Sequence, residues 1–252
     1  MEISTSRILR RQLTPEEKAD QTKKLKLEKD KLETEAASKI KRAALRPFIK
    51  YQGKIFYHTE LIDMAMVCDN LLKKVSESEE LLVVGFDLEW PFDFQSGSGR
   101  TAVIQISPDL NTCYILHVSK IKYLPKSLSD FLEHDKVRLT GNNVKNDARK
   151  LARDFTGVNG DKLVQNCIDL GVLANSILPT THRWSLEKLV NYLLDLRINK
   201  SKMVRNSKWH IIPLSPAQQK YAAIDSHVSL LLYVTLKEKE KDKEDDQNTL
   251  NK

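Results

Sequence analysis

The chain has 252 residues, 40% hydrophobic and 30% charged, with a formal net charge of +7, which is enough for one α/β domain with loosely packed flanks and too little for two full domains. Cys68, Cys113 and Cys167 form no CxxC pair and the six histidines no HExxH, so neither a disulfide framework nor a zinc site is expected. Residues 1–18 alternate polar and charged side chains where a secretory signal needs an apolar run, so the protein is expected to be neither secreted nor membrane-bound.

In chain order, residues 1–50 are rich in Lys, Arg and Glu and poor in large apolar groups. That composition predicts a basic extension, either disordered or a solvated helix starting at Thr14 with a weak face of Leu25, Leu27 and Leu32. Its basic stretches, Lys23–Lys31 and Lys39–Arg46, suit nuclear import and equally suit a solvated arm. The folded domain is expected over residues 51–236. Within it, the unbroken apolar run Leu81–Phe86 predicts a central strand. Gln95–Gly99 is a Gly and Ser loop without the lysine of a phosphate-binding loop, and it leads into hairpin strands over Thr101–Ser107 and Thr112–Val118.

A strand over Val137–Thr140, a helix over Val144–Phe155 and a strand over Val164–Ile168 follow. The group Trp184, Ser185, Leu186, Leu189 and Val190 has the spacing of a packing helix. Ser215, Pro216 and Gln218 form a capping box that opens the last long helix, which carries Tyr221 and Asp225. From Lys237 the chain alternates Lys with acids, predicting a frayed helix end that passes into a charged, disordered tail over residues 237–252.

Asp87 and Glu89 end the most apolar strand, and a spacing of two puts both on one face. Either the strand has ended and both acids meet water, or they converge in a buried site where a divalent cation must offset their repulsion. Asp147, at the start of the next helix, and Asp225, one helical turn after Tyr221, each have a bland reading as helical surface charges. Small residues Ala222 and Ala223 would let another element approach that last helix closely. Lys145, Arg149 and Lys150 surround Asp147, while Lys202, Arg205 and Lys208 precede the last helix; each is a candidate for tracking phosphates or a solvated basic face.

Together, Phe86-Asp87-Leu88-Glu89-Trp90, Asn142-Asn143-Val144-Lys145-Asn146-Asp147 and Tyr221-Ala222-Ala223-Ile224-Asp225 resemble the three motifs of the DEDDy superfamily of 3′–5′ exonucleases. The string Asp87-Leu88-Glu89-Trp90-Pro91, the Trp184-Ser185-Leu186 helix and the Trp209–Gln218 lead make the Werner syndrome exonuclease domain the nearest likeness, over residues 54–236. The resemblance is to a stand-alone form without helicase sequence. It implies a single α/β domain with an RNase H-like mixed β-sheet flanked by helices.

The resemblance also implies the chemistry. Asp87, Glu89, Asp147 and Asp225 would hold two ions, and an all-carboxylate set favours Mg²⁺ or Mn²⁺. Tyr221 would position the attacking water, which leaves His227 a satisfied helix residue rather than a general base. The implied substrate is DNA, as single strands and the 3′ ends of duplexes, with nucleoside monophosphates released in the nucleus in genome maintenance, and a separate helicase as partner. The rival readings are an RNA-trimming exonuclease of the same superfamily and a catalytically silent nucleic-acid-binding scaffold.

Overall fold

The computed structural model describes residues 23–24, 26–31, 33–34, 45–199 and 201–250. The chain divides into two compact units, Met1–Arg46 and Pro47–Lys252. In the first, the described residues between 23 and 34 are helical and exposed, with a Lys29–Glu33 ion pair at 3.8 Å. The expected helix start at Thr14, and Leu25 and Leu32 of its weak face, lie outside the described residues.

The second unit begins at Pro47, ahead of the expected boundary at residue 51. Ile49 is buried and donates its backbone N–H to the Arg197 carbonyl at 2.8 Å, which draws this segment into the domain. A six-stranded sheet follows in the order β1-β6-β5-β2-β7-β8. Its strands are β1 (Lys54–His58), β2 (Leu82–Glu89), β5 (Val103–Asp109), β6 (Thr112–His117), β7 (Val137–Gly141) and β8 (Cys167–Asp169). Strand β2 runs antiparallel to β5 and parallel to β7, so the sheet is mixed. Two further strands, β3 (Phe92–Asp93) and β4 (Gly97–Ser98), make a separate small hairpin out of the Gly and Ser loop.

The period-two alternation of β2 assigns its residues to opposite layers. Phe86 and Leu88 enter a core with Met64, Cys68 and Leu71 of helix α1 (Leu61–Glu77), Leu128 and Phe131 of α2 (Lys126–Glu133), and Val144, Ala148 and Leu151 of α3 (Val144–Asp154). Gly85 lies on the other face, under the last helix, α8 (Pro216–Leu250). Between α3 and α8 come α4 (Gly160–Gln165), α5 (Leu170–Ile177), α6 (Leu186–Leu194) and the short α7 (Lys202–Arg205). Trp184 is buried and donates its indole N–H to Asn175 Oδ1 at 2.7 Å, the packing role its spacing predicts. The capping box is reciprocal: Ser215 N–H donates to Gln218 Oε1 at 2.9 Å and Gln218 N–H to Ser215 Oγ at 3.3 Å.

Two expectations need correction. The run expected as a strand over Val164–Ile168 is divided: Asn159 caps helix α4 by accepting the Lys162 N–H, and β8 starts only at Cys167. Short apolar runs do not distinguish a buried helix turn from a strand. Nor does the tail pass into disorder after Lys237, because α8 continues to Leu250. Its alternating Lys and acidic residues are good helix formers that pair along the helix, as Lys237 does with Glu240. Lys243 also ties it to the carbonyl of Ile177 in α5.

A Cβ on Gly85 would lie 1.9 Å from the Ser226 carbonyl oxygen of α8. Gly85→Ala is therefore expected to push α8 off β2 and destabilise the domain by about 1–3 kcal/mol or more. Urea unfolding checks this: the midpoint falls with the slope unchanged, whereas a wild-type midpoint would mean that α8 has room to move.

Candidate active site

The close approach at Gly85 sets the site. Asp87 lies two residues further along the same face of β2, and Glu89 two beyond that, while Asp225 immediately precedes Ser226 on α8. Ser226 is fully buried, its hydroxyl 2.9 Å from that of Ser107 on β5, so the helix is also fastened to the neighbouring strand. Ala222 and Ala223 are fully buried against the sheet, as their size suggests. One carboxylate oxygen from each of Asp87, Glu89 and Asp225 lies within 4.8 Å of the others.

Burial raises the Asp87 and Glu89 carboxyls well above the usual carboxylate range. Repulsion adds to this, from Asp225 and Asp147 on Asp87, and from Asp87 and Asp225 on Glu89. Arg205 opposes the rise at both residues. Asp147 lines the same cleft from the first turn of α3 but lies outside the three-oxygen cluster. Burial, then repulsion from Asp169, pushes it up to about 7, against the attraction of Lys150. The preceding Asn143 adopts a left-handed φ of 65°, and its N–H donates to Asp169 Oδ2 at 2.8 Å, which fixes the turn that brings α3 to the cleft. Tyr221 is half-buried, with its ring 6.0 Å from that of Trp209. Burial and then Asp225, Glu89 and Asp87 raise its phenol well above the ordinary tyrosine value, so it stays protonated.

These residues line a cleft of about 760 Å³, together with Asn142, Asn143, Arg205 and an apolar group of Trp90, Phe92, Phe94 and Leu186. The donors are oxygens, they converge, and they repel one another unless compensated, so the set fits a hard divalent cation. A cation there would offset the repulsion that raises these carboxyls.

The basic residues divide. Lys145, Arg149 and Lys208 are exposed and outside the cleft lining, and Arg149 donates to Asn146 Oδ1 at 3.2 Å. Lys150 is no phosphate-tracking residue: it is 6% exposed, donates to the Gly99 carbonyl at 2.7 Å, pairs with Asp154 at 3.0 Å and sits 4.7 Å over the Trp90 ring. Its position three residues after Asp147 turns it under the β3–β4 hairpin, where the ammonium is already fully engaged. Among the described residues, Arg205 is the cation that lines the cleft. The sequence offers Lys202, Arg205 and Lys208 on equal terms, and only the short helix α7 separates them. Sequence reasoning also passed over Phe92 and Phe94, whose signal was two phenylalanines two residues apart beside a Gly and Ser loop. His227 packs its ring 4.9 Å from that of Tyr51 and does not line the cleft, but it is not the satisfied helix residue expected, because its buried Nδ1 has no hydrogen-bond partner among the described residues. Among the described residues, no helix is long and apolar enough to cross a membrane.

Residues 59–240 match a protein family described as 3′–5′ exonuclease. A 3′–5′ exonuclease of Drosophila erecta is 48% identical over 198 residues, covering 78% of this chain and 56% of that protein. The chain thus spans a little over half the length of the curated relatives it matches. Among solved structures, the catalytic core of RRP6 from Trypanosoma brucei aligns with a TM-score of 0.58 at 18% identity, covering 77% of this chain and 49% of that one. Escherichia coli RNase D, an exoribonuclease involved in structured RNA processing, aligns with a TM-score of 0.56 at 16% identity, covering 73% of this chain and 45% of that one. Both share the fold of a mixed sheet flanked by helices.

Carboxyls raised by folding bind more protons in the native than in the unfolded chain, so their contribution to stability falls as pH rises from the ordinary carboxylate value through the raised one. For Asp147 that window runs from 3.8 to about 7. Without divalent cations, Asp87→Asn is expected to raise the melting temperature at pH 8, by about 2–4 °C for each kcal/mol of repulsion removed, and to change it little at pH 4. Saturating Mn²⁺ should reverse the order at pH 8 by stabilising the wild type alone. Calorimetry of both proteins tests this, and equal melting temperatures at pH 8 without cation would remove the claim of mutual repulsion.

Proposed function

This chain belongs to the 3′–5′ exonuclease family, and we propose that it hydrolyses DNA from the 3′ end, with Asp87, Glu89, Asp147 and Asp225 as metal ligands and Tyr221 as the residue that orients water. The observation that carries the reading is the convergence of three carboxylates within 4.8 Å in a cleft that also holds Tyr221. A catalytically silent scaffold for an anionic strand would have no use for acids gathered beside phosphate.

Two divalent cations, Mg²⁺ or Mn²⁺, held by Asp87, Glu89 and Asp225 with Asp147 beside them, would lower the pKa of the attacking water and stabilise the departing 3′ oxygen. The chain's own residues do the rest. The Tyr221 hydroxyl, protonated and one helical turn before Asp225, hydrogen-bonds the water and holds it in line with the scissile bond. Arg205 offers its guanidinium to the non-bridging phosphate oxygens. The water oxygen bonds to phosphorus, the bond from phosphorus to the 3′ oxygen breaks, and protonation of that oxygen leaves a nucleoside monophosphate and a shortened strand.

The choice of DNA, the Werner-like subgroup, a nuclear setting and a separate helicase partner rest on the motif strings around Asp87 and Trp209 and on the basic extension. The metal chemistry itself is indifferent to a 2′-hydroxyl. We assign the catalytic domain to the unit that begins at Pro47 rather than at residue 51, preceded by the basic extension, which contributes salt-sensitive affinity for the strand.

Chelating divalent ions, or combining Asp87→Ala with Glu89→Ala, is expected to abolish cleavage while the protein stays folded. Labelled DNA and RNA of matched sequence, with and without Mn²⁺, provide the assay. Undiminished cleavage by the double variant would remove the site assignment, and faster cleavage of RNA would replace DNA by RNA as substrate.

Tyr221→Phe keeps the ring and all four acids. It is expected to slow the chemical step about ten- to a hundred-fold with little change in strand affinity. Single-turnover rates at saturating enzyme and metal isolate that step. A variant as fast as the wild type would make Tyr221 a packing residue.

A further inference from the structure

Phe94 is 93% exposed and Phe92 54% exposed, yet both line the cleft that holds the carboxylates. Their rings meet edge to face, with centroids 5.5 Å apart and planes at 85°. Two large apolar rings held in water are a liability in an unliganded protein, and nothing in the hairpin buries them.

The hairpin beneath them is firmly built. Asp93, between the two rings, accepts the N–H groups of Gln95 at 2.8 Å and Ser96 at 3.0 Å, and Gly97 turns the chain at φ +81°. At the base, Gly99 N–H donates to the Pro91 carbonyl at 2.8 Å while the buried Lys150 ammonium holds the Gly99 carbonyl. The next residue, Arg100, donates to the carbonyls of Asp154, Ile121 and Lys122. A tip anchored in this way presents its rings in a defined place.

We infer that Phe92 and Phe94 form a stacking subsite for the unpaired bases at the 3′ end of the strand, an inference that rests on the exonuclease reading of the same cleft. Distance supports it. Phe92 and Phe94 follow Glu89 by three and five residues, so their backbones lie at most about 11 and 18 Å from it, within a nucleotide or two of a phosphate at the carboxylates. Chemistry supports it too. Between Phe92 and Ser98 the only charged side chain is Asp93, whose carboxylate serves the turn, so the tip carries no cation for phosphate and its largest surfaces are the flat aromatic faces. Such a surface takes any base that is free of its partner strand. An apolar polypeptide would have to lie across converging carboxylates to cover the same rings, whereas a strand brings phosphates to the acids' cations and bases to the rings. The subsite therefore selects single-stranded or frayed 3′ ends.

The test uses the full chain and oligothymidylate strands that either carry all their bases or lack the last two. The wild type should show a KM about ten- to a hundred-fold lower for the strand with bases. Phe92→Ala with Phe94→Ala should erase that ratio by raising KM for the strand with bases to that of the baseless strand. Phe94→Trp should keep the ratio, and Phe94→Leu, apolar but without a π-face, should reduce it. Independently of cleavage, with metal chelated and protein in excess, a terminal 2-aminopurine should lose fluorescence on binding the wild type and keep it with the double alanine variant. A wild type that quenches the fluorophore but cleaves neither strand ends the exonuclease reading and leaves the subsite standing. Absence of quenching by the wild type, or an unchanged ratio in the double alanine variant, overturns the subsite.

Discussion

Helix α8 lies closer to strand β2 than a side chain would permit, with the Ser226 carbonyl over the bare Cα of Gly85. Everything at the candidate site is counted from that contact. Two residues along the strand comes Asp87, and one residue back along the helix comes Asp225, so a backbone contact between a strand and a helix brings carboxylate oxygens of the two acids within 4.8 Å. The hydroxyls of Ser226 and Ser107 hold the same stretch of helix against β5. Small residues at positions 222, 223 and 226 leave the sheet in contact with helix backbone. A larger residue at any of them would press the helix away from the sheet, and Asp225 with it.

Holding acids so close sets stability against chemistry. Burial and mutual repulsion both favour the neutral forms of Asp87 and Glu89, and Arg205 offsets only part of this. A domain selected only for folding would place apolar groups here, as it does on the opposite face of β2 with Phe86 and Leu88. Such local cost is characteristic of functional sites, where the missing charge is supplied by what binds.

The acids were legible because their signal is local. Spacing of two on a strand fixes a shared face, and spacing of four on a capped helix fixes a shared turn, so Asp87 with Glu89 and Tyr221 with Asp225 could each be paired before any tertiary contact was known. Lys150 was misread because its partners, Gly99 and Trp90, lie some fifty residues or more away in sequence. Arg205 looked no different from Lys202 and Lys208 because the four residues of α7 carry no periodicity to orient them. Strand β1 and helix α1 left no clear pattern, since Phe56, Leu61, Ile62 and Met66 are exposed and blur the apolar stripe. The capping box, whose partners are three residues apart, was read correctly down to its hydrogen bonds.

Lys150 has a consequence of its own. It rises from the helix that carries Asp147 and grips the base of the hairpin that carries Phe92 and Phe94, with Asp154 and Trp90 completing its surroundings. The helix that carries Asp147 and the hairpin that carries the rings are thereby joined through one buried ammonium, and their spacing there is set by the length of a lysine. Shortening that side chain would loosen the aromatic hairpin from the helix without removing a single acid or ring from the cleft.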